Sequence, residues 1–222
     1  MSEKKQIKKQ RVVTFGHQVW YQICRGTMWI LLELLFRVRH RGRKNIPRKG
    51  PALIFSNHQS YIDPPAVGIG VFRRMNYLAK QGLFTSKFFG WLIRSVDAIP
   101  LDQEGIGFQG IKETLKRLRN GEMVLIFPEG RRSLDGELAP FRTGYVNIAV
   151  KSGATIVPTA IDGAWAAFPP QNKYPNLFKP SIRVEYGAPI TPSDYANLSE
   201  EELHRLVESR VQELFEKIRR KK

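Results

Sequence analysis

A strand signal and a helix-start signal lie side by side in the stretch Pro51-Ala52-Leu53-Ile54-Phe55-Ser56-Asn57-His58-Gln59-Ser60-Tyr61-Ile62-Asp63-Pro64. Its first part is a short apolar run introduced by a proline, which is typical of a strand covered on both faces in a parallel sheet. Its last part, Asp63-Pro64, resembles a helix start, with an acidic N-cap and a proline at the first helical position. We therefore expect His58 on the loop between strand and helix, at the carboxyl edge of a sheet, where open α/β folds place their chemistry.

His58 and Asp63 flank this loop, and an imidazole beside a carboxylate is the minimal set of groups for a general base. The alternative is that Asp63 only caps the helix and that His58 is an ordinary loop residue. The local pattern leaves both interpretations open. A second cluster of residues that binds an acceptor substrate would favour the catalytic interpretation.

From residue 51 onward, short apolar strands alternate with helical patterns. Further strands are predicted at Met75–Lys80, Val96–Leu101, Met123–Phe127, Thr155–Ile161 and Ile182–Tyr186. Helices are predicted at Pro65–Val71, Phe84–Arg94, Ile106–Arg119 and Gly144–Ser152, and a last helix begins at a capping box of Ser199 and Glu202. This alternation predicts an α/β fold with a mixed, mostly parallel sheet flanked by helices.

The N-terminal part of the chain has a different composition. Val12–Phe36 is rich in apolar residues, but polar residues interrupt it, so it lacks the run of roughly 18 apolar residues that a spanning helix needs. Two basic clusters flank it: Lys4, Lys5, Lys8, Lys9 and Arg11 before it, and Arg37, Arg39, Arg41, Arg43, Lys44, Arg48 and Lys49 after it. We predict that residues 1–40 form a basic, amphipathic helical segment that docks on an anionic membrane surface, and that residues 41–222 form the catalytic domain. The alternative is a core helix that covers the sheet.

The net charge of +16, from 36 Lys and Arg against 20 acidic residues, indicates an anionic partner. Nucleic acid, an anionic membrane and a phosphorylated small molecule all fit this charge. A nucleic-acid-binding domain would leave His58, Asp63 and Glu129 without roles, and the sequence has no recognisable groove-reading helix, so we expect no nucleic-acid partner. The lone Cys24 cannot form an internal disulfide, which favours a reducing, cytosolic environment.

A second informative cluster, Phe127-Pro128-Glu129-Gly130-Arg131-Arg132-Ser133, directly follows another predicted strand. A glycine lets the backbone approach a ligand closely, and two neighbouring guanidiniums can grip a phosphate. Arg142 lies just before a predicted helix start, which is a further natural anion site. Turns of the Gly-Arg-Arg type are usually solvated loops, but both clusters leave the same edge of the predicted sheet, which favours an anion-binding site there.

The two clusters together, NHxxxxD at Asn57–Asp63 and FPEG-x-RS at Phe127–Ser133, resemble the phospholipid/glycerol acyltransferases, especially the short bacterial 1-acyl-glycerol-3-phosphate acyltransferases. Val96–Asp102 and Ile156–Ile161 resemble two further blocks of this family. The resemblance implies an enzyme at the cytoplasmic face of the cell membrane, monotopic or peripheral, without a cofactor. It would move a fatty acyl group from acyl-CoA or acyl carrier protein to a lysophospholipid, most simply 1-acyl-sn-glycerol 3-phosphate, giving phosphatidic acid.

The resemblance also implies roles for individual residues. His58 would be the general base that takes the hydroxyl proton of the acceptor, and Asp63 would orient its imidazole. Glu129, Gly130 and Arg132 would bind the acceptor, with Arg142 as a helper, and Arg131 is a further candidate from this chain's own sequence. A thioester is already activated, so no acyl-enzyme is needed, although Ser60 is close enough in sequence to be the nucleophile of a rival scheme. A serine hydrolase would need a motif such as GxSxG, which the chain lacks, and the scattered histidines predict no metal site.

Two positions depart from the family pattern. Gln103 stands where the family usually has an arginine that helps to bind phosphate, and Arg131 stands where it usually has threonine. Either Arg131 restores the cation that is missing at Gln103, or the pocket is shaped for another lysolipid.

Overall fold

The structure is a computed structural model that describes residues 14–101, 107–177 and 181–220. Its α-helices are α1 (Phe15–Phe36), α2 (Asp63–Ile69), α3 (Lys87–Ser95), α4 (Phe108–Arg119), α5 (Val146–Ser152), α6 (Ala164–Ala167), α7 (Pro192–Tyr195) and α8 (Glu200–Arg219). Its strands are β1 (Arg39–Arg41), β2 (Ala52–Ser56), β3 (Met75–Lys80), β4 (Ala98–Leu101), β5 (Met123–Ile126), β6 (Thr155–Asp162) and β7 (Arg183–Tyr186). Short 3-10 turns cover Arg43–Asn45 and Gln81–Phe84.

These strands form one sheet in the order β1-β7-β6-β2-β5-β3-β4. All neighbouring pairs are parallel except β6 and β7, which are antiparallel. The predicted α/β fold with a mixed, mostly parallel sheet is therefore confirmed. Because β2 lies between β5 and β6 and is parallel to both, the loops that follow these three strands leave the same edge of the sheet.

The central strand β2 is buried along its whole length, and its side chains alternate between two apolar layers. Ala52 and Ile54 pack in the layer that also contains residues of α1 and α2. Leu53 and Phe55 pack in the opposite layer, with residues of α4, α5 and α8. Helices on both faces explain why β2 has a continuous apolar sequence rather than an alternating one.

All six strands predicted from the sequence are present, with ends that shift by at most two residues. The predicted helices are present too, with shifts of up to three residues at their starts, and the capping box of Ser199 and Glu202 begins α8 as predicted. Strand β1 is missing from the sequence prediction. Its residues Arg39-His40-Arg41 are polar, and an edge strand this short has no apolar pattern to reveal it.

The prediction that Asp63 is the N-cap of α2 is wrong. Ile62 occupies the N-cap position, without a side-chain capping bond, and Asp63 is the first residue of the helix. The reason is that the Asp63 carboxylate accepts hydrogen bonds from the preceding loop instead of from the first turn of α2. The acidic residue thus shapes the loop that carries His58.

In the described residues, the predicted N-terminal helical segment is the single helix α1. Its C-terminal half covers the sheet, with Leu32 and Phe36 buried in the core, as in the alternative of a core helix. Its N-terminal half lies against α3, since Trp20 Nε1 donates a hydrogen bond to Ser95 Oγ at 2.9 Å. Among the described helices, none combines the length and the hydropathy needed to cross a bilayer. The basic cluster at residues 4–11 lies outside the described residues, and the domain division at residue 40 stays a prediction.

Candidate active site

His58 and Asp63 meet at the carboxyl end of β2. The His58 Nδ1 atom lies 2.7 Å from Asp63 Oδ2. An ionised carboxylate can only accept, so this contact places the imidazole proton on Nδ1 and leaves the lone pair on Nε2. Within the part of the chain that the structure describes, Nε2 has no hydrogen-bond partner. The imidazole is therefore held in the tautomer that a general base needs.

The Asp63 carboxylate holds the preceding loop, residues 58–62, through several hydrogen bonds. Its side chain is fully buried, and Oδ2 accepts the backbone N–H groups of Gln59 at 2.5 Å and Ser60 at 2.7 Å in addition to the bond from His58. Three donors on one carboxylate oxygen fix the point to which the imidazole is anchored. The spacing of NHxxxxD thus has a geometric cause, because a loop of this length can wrap around its own terminal acid.

The His58 ring is also held by an aromatic neighbour. It stacks on the ring of Phe127, with 4.0 Å between the ring centroids and an angle of 14° between the planes. Phe127 is the first residue after β5, so the loop after the neighbouring strand provides the ring on which the imidazole stacks. The His58 side chain is still 18% exposed, which leaves the ring accessible from outside.

Glu129 joins the loop after β2 to the loop after β5. Its Oε1 accepts the backbone N–H of His58 at 2.6 Å, and its Oε2 accepts that of Ala139 at 3.2 Å. Burial raises the pKa of the Glu129 carboxyl to about 8, against the lowering effect of these two backbone donors and of the Arg131 charge. The carbonyl oxygen of His58 in turn accepts the backbone N–H of Ser133 at 2.7 Å. The loop after β5 therefore holds the His58 backbone from both sides.

The other predicted acceptor-binding residues lie on the same loop after β5. Gly130 has a φ of +72°, and a Cβ atom there would lie 2.6 Å from Arg142 Nε, so only glycine allows the Arg142 side chain to cross this turn. The guanidinium of Arg132 lies over the ring of Tyr61, with Cζ 3.6 Å from the ring centroid. Arg131 and Arg142 are exposed. The loop thus adds three cations next to the loop of His58.

Two supporting residues of the site were missing from the sequence interpretation. The buried side chain of Asn57 donates to the carbonyl of Ile161 on β6 at 2.9 Å and accepts its N–H at 2.8 Å. Gln59 donates to the carbonyl of Gly136 at 2.7 Å and accepts the N–H of Trp165 at 3.3 Å. These side-chain amides connect the loop of His58 to strand β6, to the loop after β5 and to helix α6. The polar residues on both sides of His58 could have indicated a supporting role. Their hydrogen-bond partners could not be predicted, because these partners are far away in the sequence.

Ser60, the nucleophile of the rival scheme, has a structural role. Its hydroxyl is buried, donates to the carbonyl of Phe168 at 2.8 Å and accepts the backbone N–H of Ile62 at 3.3 Å. A hydroxyl in these two hydrogen bonds is not presented to a substrate. The geometry therefore favours the scheme without an acyl-enzyme.

Gln103 lies outside the described residues, so the hypothesis that Arg131 compensates for it stays a prediction. Among residues 14–101, 107–177 and 181–220, no group of three or more His, Cys, Asp or Glu side chains is placed to hold a metal ion.

The chain is similar to proteins of known activity over most of its length. The family model described as Acyltransferase matches residues 37–162. A 1-acyl-sn-glycerol-3-phosphate acyltransferase of Bacillus subtilis is 32% identical over 204 residues, which are 89% of this chain and 98% of that protein. A chloroplastic 1-acyl-sn-glycerol-3-phosphate acyltransferase of Arabidopsis thaliana is 28% identical over 187 residues, 82% of this chain but only about half of that protein, 52%.

A crystal structure of an acyltransferase has the same fold as this chain. The crystal structure of the 1-acyl-sn-glycerophosphate (LPA) acyltransferase from Thermotoga maritima superimposes with a TM-score of 0.80 and 26% identity, over 95% of this chain and 84% of that one. The matched segment 37–162 contains both strands and both loops of the site described above. The chain therefore belongs to the acyltransferase family and is an O-acyltransferase.

Proposed function

We propose that the protein transfers a fatty acyl group from acyl-CoA or acyl carrier protein to the free hydroxyl of 1-acyl-sn-glycerol 3-phosphate, giving phosphatidic acid for phospholipid synthesis. The observation that carries this proposal is the buried Asp63 carboxylate on His58 Nδ1, with Nε2 left open next to a loop of three arginines. The names of the relatives from Bacillus subtilis and Thermotoga maritima support the same acceptor.

In the proposed reaction, His58 Nε2 takes the proton of the acceptor hydroxyl while the hydroxyl oxygen attacks the thioester carbonyl carbon. The imidazolium that forms is stabilised by the Asp63 carboxylate on Nδ1. The tetrahedral intermediate then collapses: the carbon–sulfur bond breaks, and the leaving thiolate takes the proton back from Nε2. The products are the ester and the free thiol, and His58 returns to its starting state.

Negative charge develops on the thioester carbonyl oxygen during the attack, and hydrogen-bond donors are needed to stabilise it. The N–H of Gly130 itself is already bonded to the carbonyl of Phe127 at 3.0 Å. In the described part of the chain, the backbone N–H groups of Arg131 and Arg132 form no hydrogen bond, and we propose that one of them meets the oxyanion. We assign the acceptor phosphate to the arginines of this loop, with Glu129 holding the His58 backbone beside them.

The test is an assay of purified protein with radiolabelled acyl-CoA or acyl carrier protein, in separate arms, and a panel of lysolipids that differ in head group. Replacing the base, His58→Ala, is expected to lower kcat by about 10²- to 10⁴-fold, and Asp63→Asn by a comparable factor, with a small change in KM. His204→Ala is the matched control, because His204 on α8 also faces a carboxylate, Glu208 at 3.7 Å. Full transfer by the His58 variant would refute the mechanism, and a preference for another lysolipid would refute the acceptor.

We also propose that α1 and α3 dock the enzyme on the cytoplasmic face of the cell membrane. The two helices are joined by the ring pair Trp20–Trp91, with centroids 5.7 Å apart. Apolar side chains of both helices are exposed to solvent: Phe15, Val19, Ile23, Trp29, Ile30, Leu31 and Leu34 on α1, and Phe88, Phe89 and Trp91 on α3. Exposed apolar groups in such numbers are typical of an interaction surface, and aromatic rings favour the interface of a bilayer.

Vesicle flotation tests this docking. The double variant Phe88→Ser/Trp91→Ser should bind phosphatidylglycerol vesicles more weakly than the wild type, whereas Tyr174→Ser, which removes an aromatic ring 70% exposed elsewhere, should bind equally. Equal loss in both variants would show that the effect is not specific to α3.

A further inference from the structure

Tyr61 lies on the tightly bonded loop between His58 and Asp63, yet its side chain is 52% exposed. The Arg132 guanidinium covers the ring, with Cζ 3.6 Å from the ring centroid. The ring of Phe168 packs against it at a tilt of 51°, with the centroids 6.1 Å apart. A half-exposed ring between a cation and a second aromatic ring contributes little to the core, so its position calls for another explanation.

The Arg132 guanidinium has a buried donor that no group among the described residues satisfies. Its Nη1 atom has no hydrogen-bond partner within the described residues, although it is shielded from solvent. The Tyr61 ring attracts the positive charge, but an aromatic face offers no acceptor for the N–H groups in the guanidinium plane. Leaving a buried donor unpaired is unfavourable, and an anionic oxygen beside Arg132 would pair it.

The backbone on the C-terminal side of Arg132 is already fixed. The N–H of Ser133 donates to the carbonyl of His58 at 2.7 Å, and the Ser133 hydroxyl donates to Asp135 Oδ1 at 2.9 Å. With the backbone held in this way, the direction of the long Arg132 side chain depends on what it packs against. In the described residues, its guanidinium packs against the Tyr61 ring.

We propose that Tyr61 is a positioning residue for substrate binding: its ring holds the Arg132 guanidinium where it binds the phosphate of the acceptor. The inference rests on the proposed function, because it needs a phosphorylated acceptor at His58. The contact between Tyr61 and Arg132 also connects the two sequence motifs. Tyr61 lies on the loop of the general base, and it orients Arg132, a side chain on the loop after β5 that would bind the phosphate. Tyr61 thereby contributes to the choice of a phosphorylated acceptor.

Steady-state kinetics with 1-acyl-sn-glycerol 3-phosphate test the role of the ring. Tyr61→Leu removes the aromatic face and should raise the KM for this acceptor roughly 3- to 30-fold, the range expected for a lost cation–π contact, with little change in kcat. Tyr61→Phe and Tyr61→Trp keep a face and should restore the low KM. Tyr174→Leu is the matched control, because Lys173 lies over the exposed Tyr174 ring at 5.5 Å, and it should leave the KM unchanged. If Tyr61→Leu does not fold, as judged by circular dichroism, Tyr61→Gln replaces it.

A double-mutant cycle decides whether the ring acts through Arg132. In an Arg132→Ala background, Tyr61→Leu should raise the KM no further, because the guanidinium that the ring holds is gone. The KM for 1-monoacylglycerol, an acceptor without a phosphate, should not respond to Tyr61→Leu. Additive effects in the cycle, an equal KM rise for both acceptors, or an unchanged KM in Tyr61→Leu would each overturn the inference. If the wild type does not acylate 1-acyl-sn-glycerol 3-phosphate at all, the proposed function fails first, so the two failures are distinguishable.

Discussion

Glu129 is buried between two loops, and the raised pKa of its carboxyl makes the stability of the protein depend on pH. Its ordinary pKa is 4.5, and burial raises it to about 8 in the folded chain. Below pH 4.5 the carboxyl is protonated in both states, and its contribution to stability is fully present. Between pH 4.5 and 8 the native state keeps a proton that the unfolded state has released, so stability falls with rising pH, by at most about 1.4 kcal/mol per pH unit.

The variant Glu129→Gln keeps the size of the side chain and removes this titration. We expect the free energy of unfolding of the wild type, measured by urea denaturation, to fall relative to that of Glu129→Gln as the pH rises from 4.5 to 8. Glu201→Gln, which changes an exposed acid on α8, is the control and should run parallel to the wild type. A constant difference between the wild type and Glu129→Gln across this range would contradict the raised pKa.

Gly130 has two reasons to be glycine, and they are separable by experiment. A residue with a side chain at φ +72° is strained, and its Cβ would also displace the Arg142 side chain. Gly50 has a similar φ of +80°, and a Cβ atom there would have nothing within 4 Å. Both Gly130→Ala and Gly50→Ala should therefore lower the unfolding free energy by about 1–2 kcal/mol. Only Gly130→Ala should also raise the KM for the lysolipid, and an equal KM rise in both would refute the role of Arg142.

Among the helices, α1 makes several polar and aromatic contacts through its N-terminal half. Trp20 Nε1 donates to Ser95 Oγ at 2.9 Å, and a His17 ring nitrogen lies 3.0 Å from the Ser95 carbonyl oxygen. The Trp20–Trp91 ring pair adds to these bonds. The N-terminal half also buries Tyr21, whose hydroxyl accepts the backbone N–H of Met75 at 3.1 Å, so it combines side-chain burial with hydrogen bonds. The C-terminal half of α1 instead buries Leu32 and Phe36.

This difference predicts a local response to Trp20→Ala. Loss of one hydrogen bond and one aromatic pair, about 1–2 kcal/mol, should speed amide hydrogen exchange in the first three turns of α1 by roughly 5- to 30-fold. Amides of the central strand β2 should exchange at the wild-type rate. Trp29→Ala removes a ring of the same helix that is 52% exposed, and it should leave exchange in these turns unchanged. Faster exchange in β2 would mean that α1 unfolds only together with the core.

The net charge of +16 on the whole protein adds long-range attraction for anionic membranes to the proposed apolar docking surface. Binding to phosphatidylglycerol vesicles should weaken steeply between 50 mM and 500 mM salt, because the screening length falls to a few ångströms over roughly this range. Binding to zwitterionic vesicles should depend little on salt.

Two variants that lose the same number of arginines at different places test whether vesicle binding depends on net charge alone or on one charged surface. The exposed arginines at the end of α1 and on β1 are replaced in one variant, Arg37→Gln/Arg39→Gln/Arg41→Gln. Three exposed arginines of α8 and its C-cap are replaced in the matched variant, Arg205→Gln/Arg210→Gln/Arg220→Gln. Each triple variant loses three positive charges. Only the variant at the end of α1 and on β1 should bind anionic vesicles more weakly in flotation at low salt. Equal weakening would assign the effect to net charge alone.

Much of this molecule follows from its sequence by local rules. Apolar runs such as Ala52–Phe55 must be buried on both faces, so a parallel sheet covered by helices follows from their alternation with amphipathic segments. Motifs at the ends of two such runs placed His58 and Glu129 at one sheet edge. A polar edge strand cannot be predicted in this way. Strand β1 is held by backbone pairing with β7, and its sequence shows no apolar pattern.

Other features exist only in the tertiary structure, because they depend on which distant groups meet. The sequence indicated that His58 and Asp63 belong together, but it misassigned the carboxylate to a helix cap, since the competing backbone donors of the loop cannot be read from residue types. The contacts of Glu129 with the His58 backbone and of Arg132 with the Tyr61 ring join segments some 70 residues apart. Chain order alone determined which chemical groups the protein has, whereas the strand order β6-β2-β5 decided which of them touch, because adjacency in a sheet is set by non-local backbone pairing.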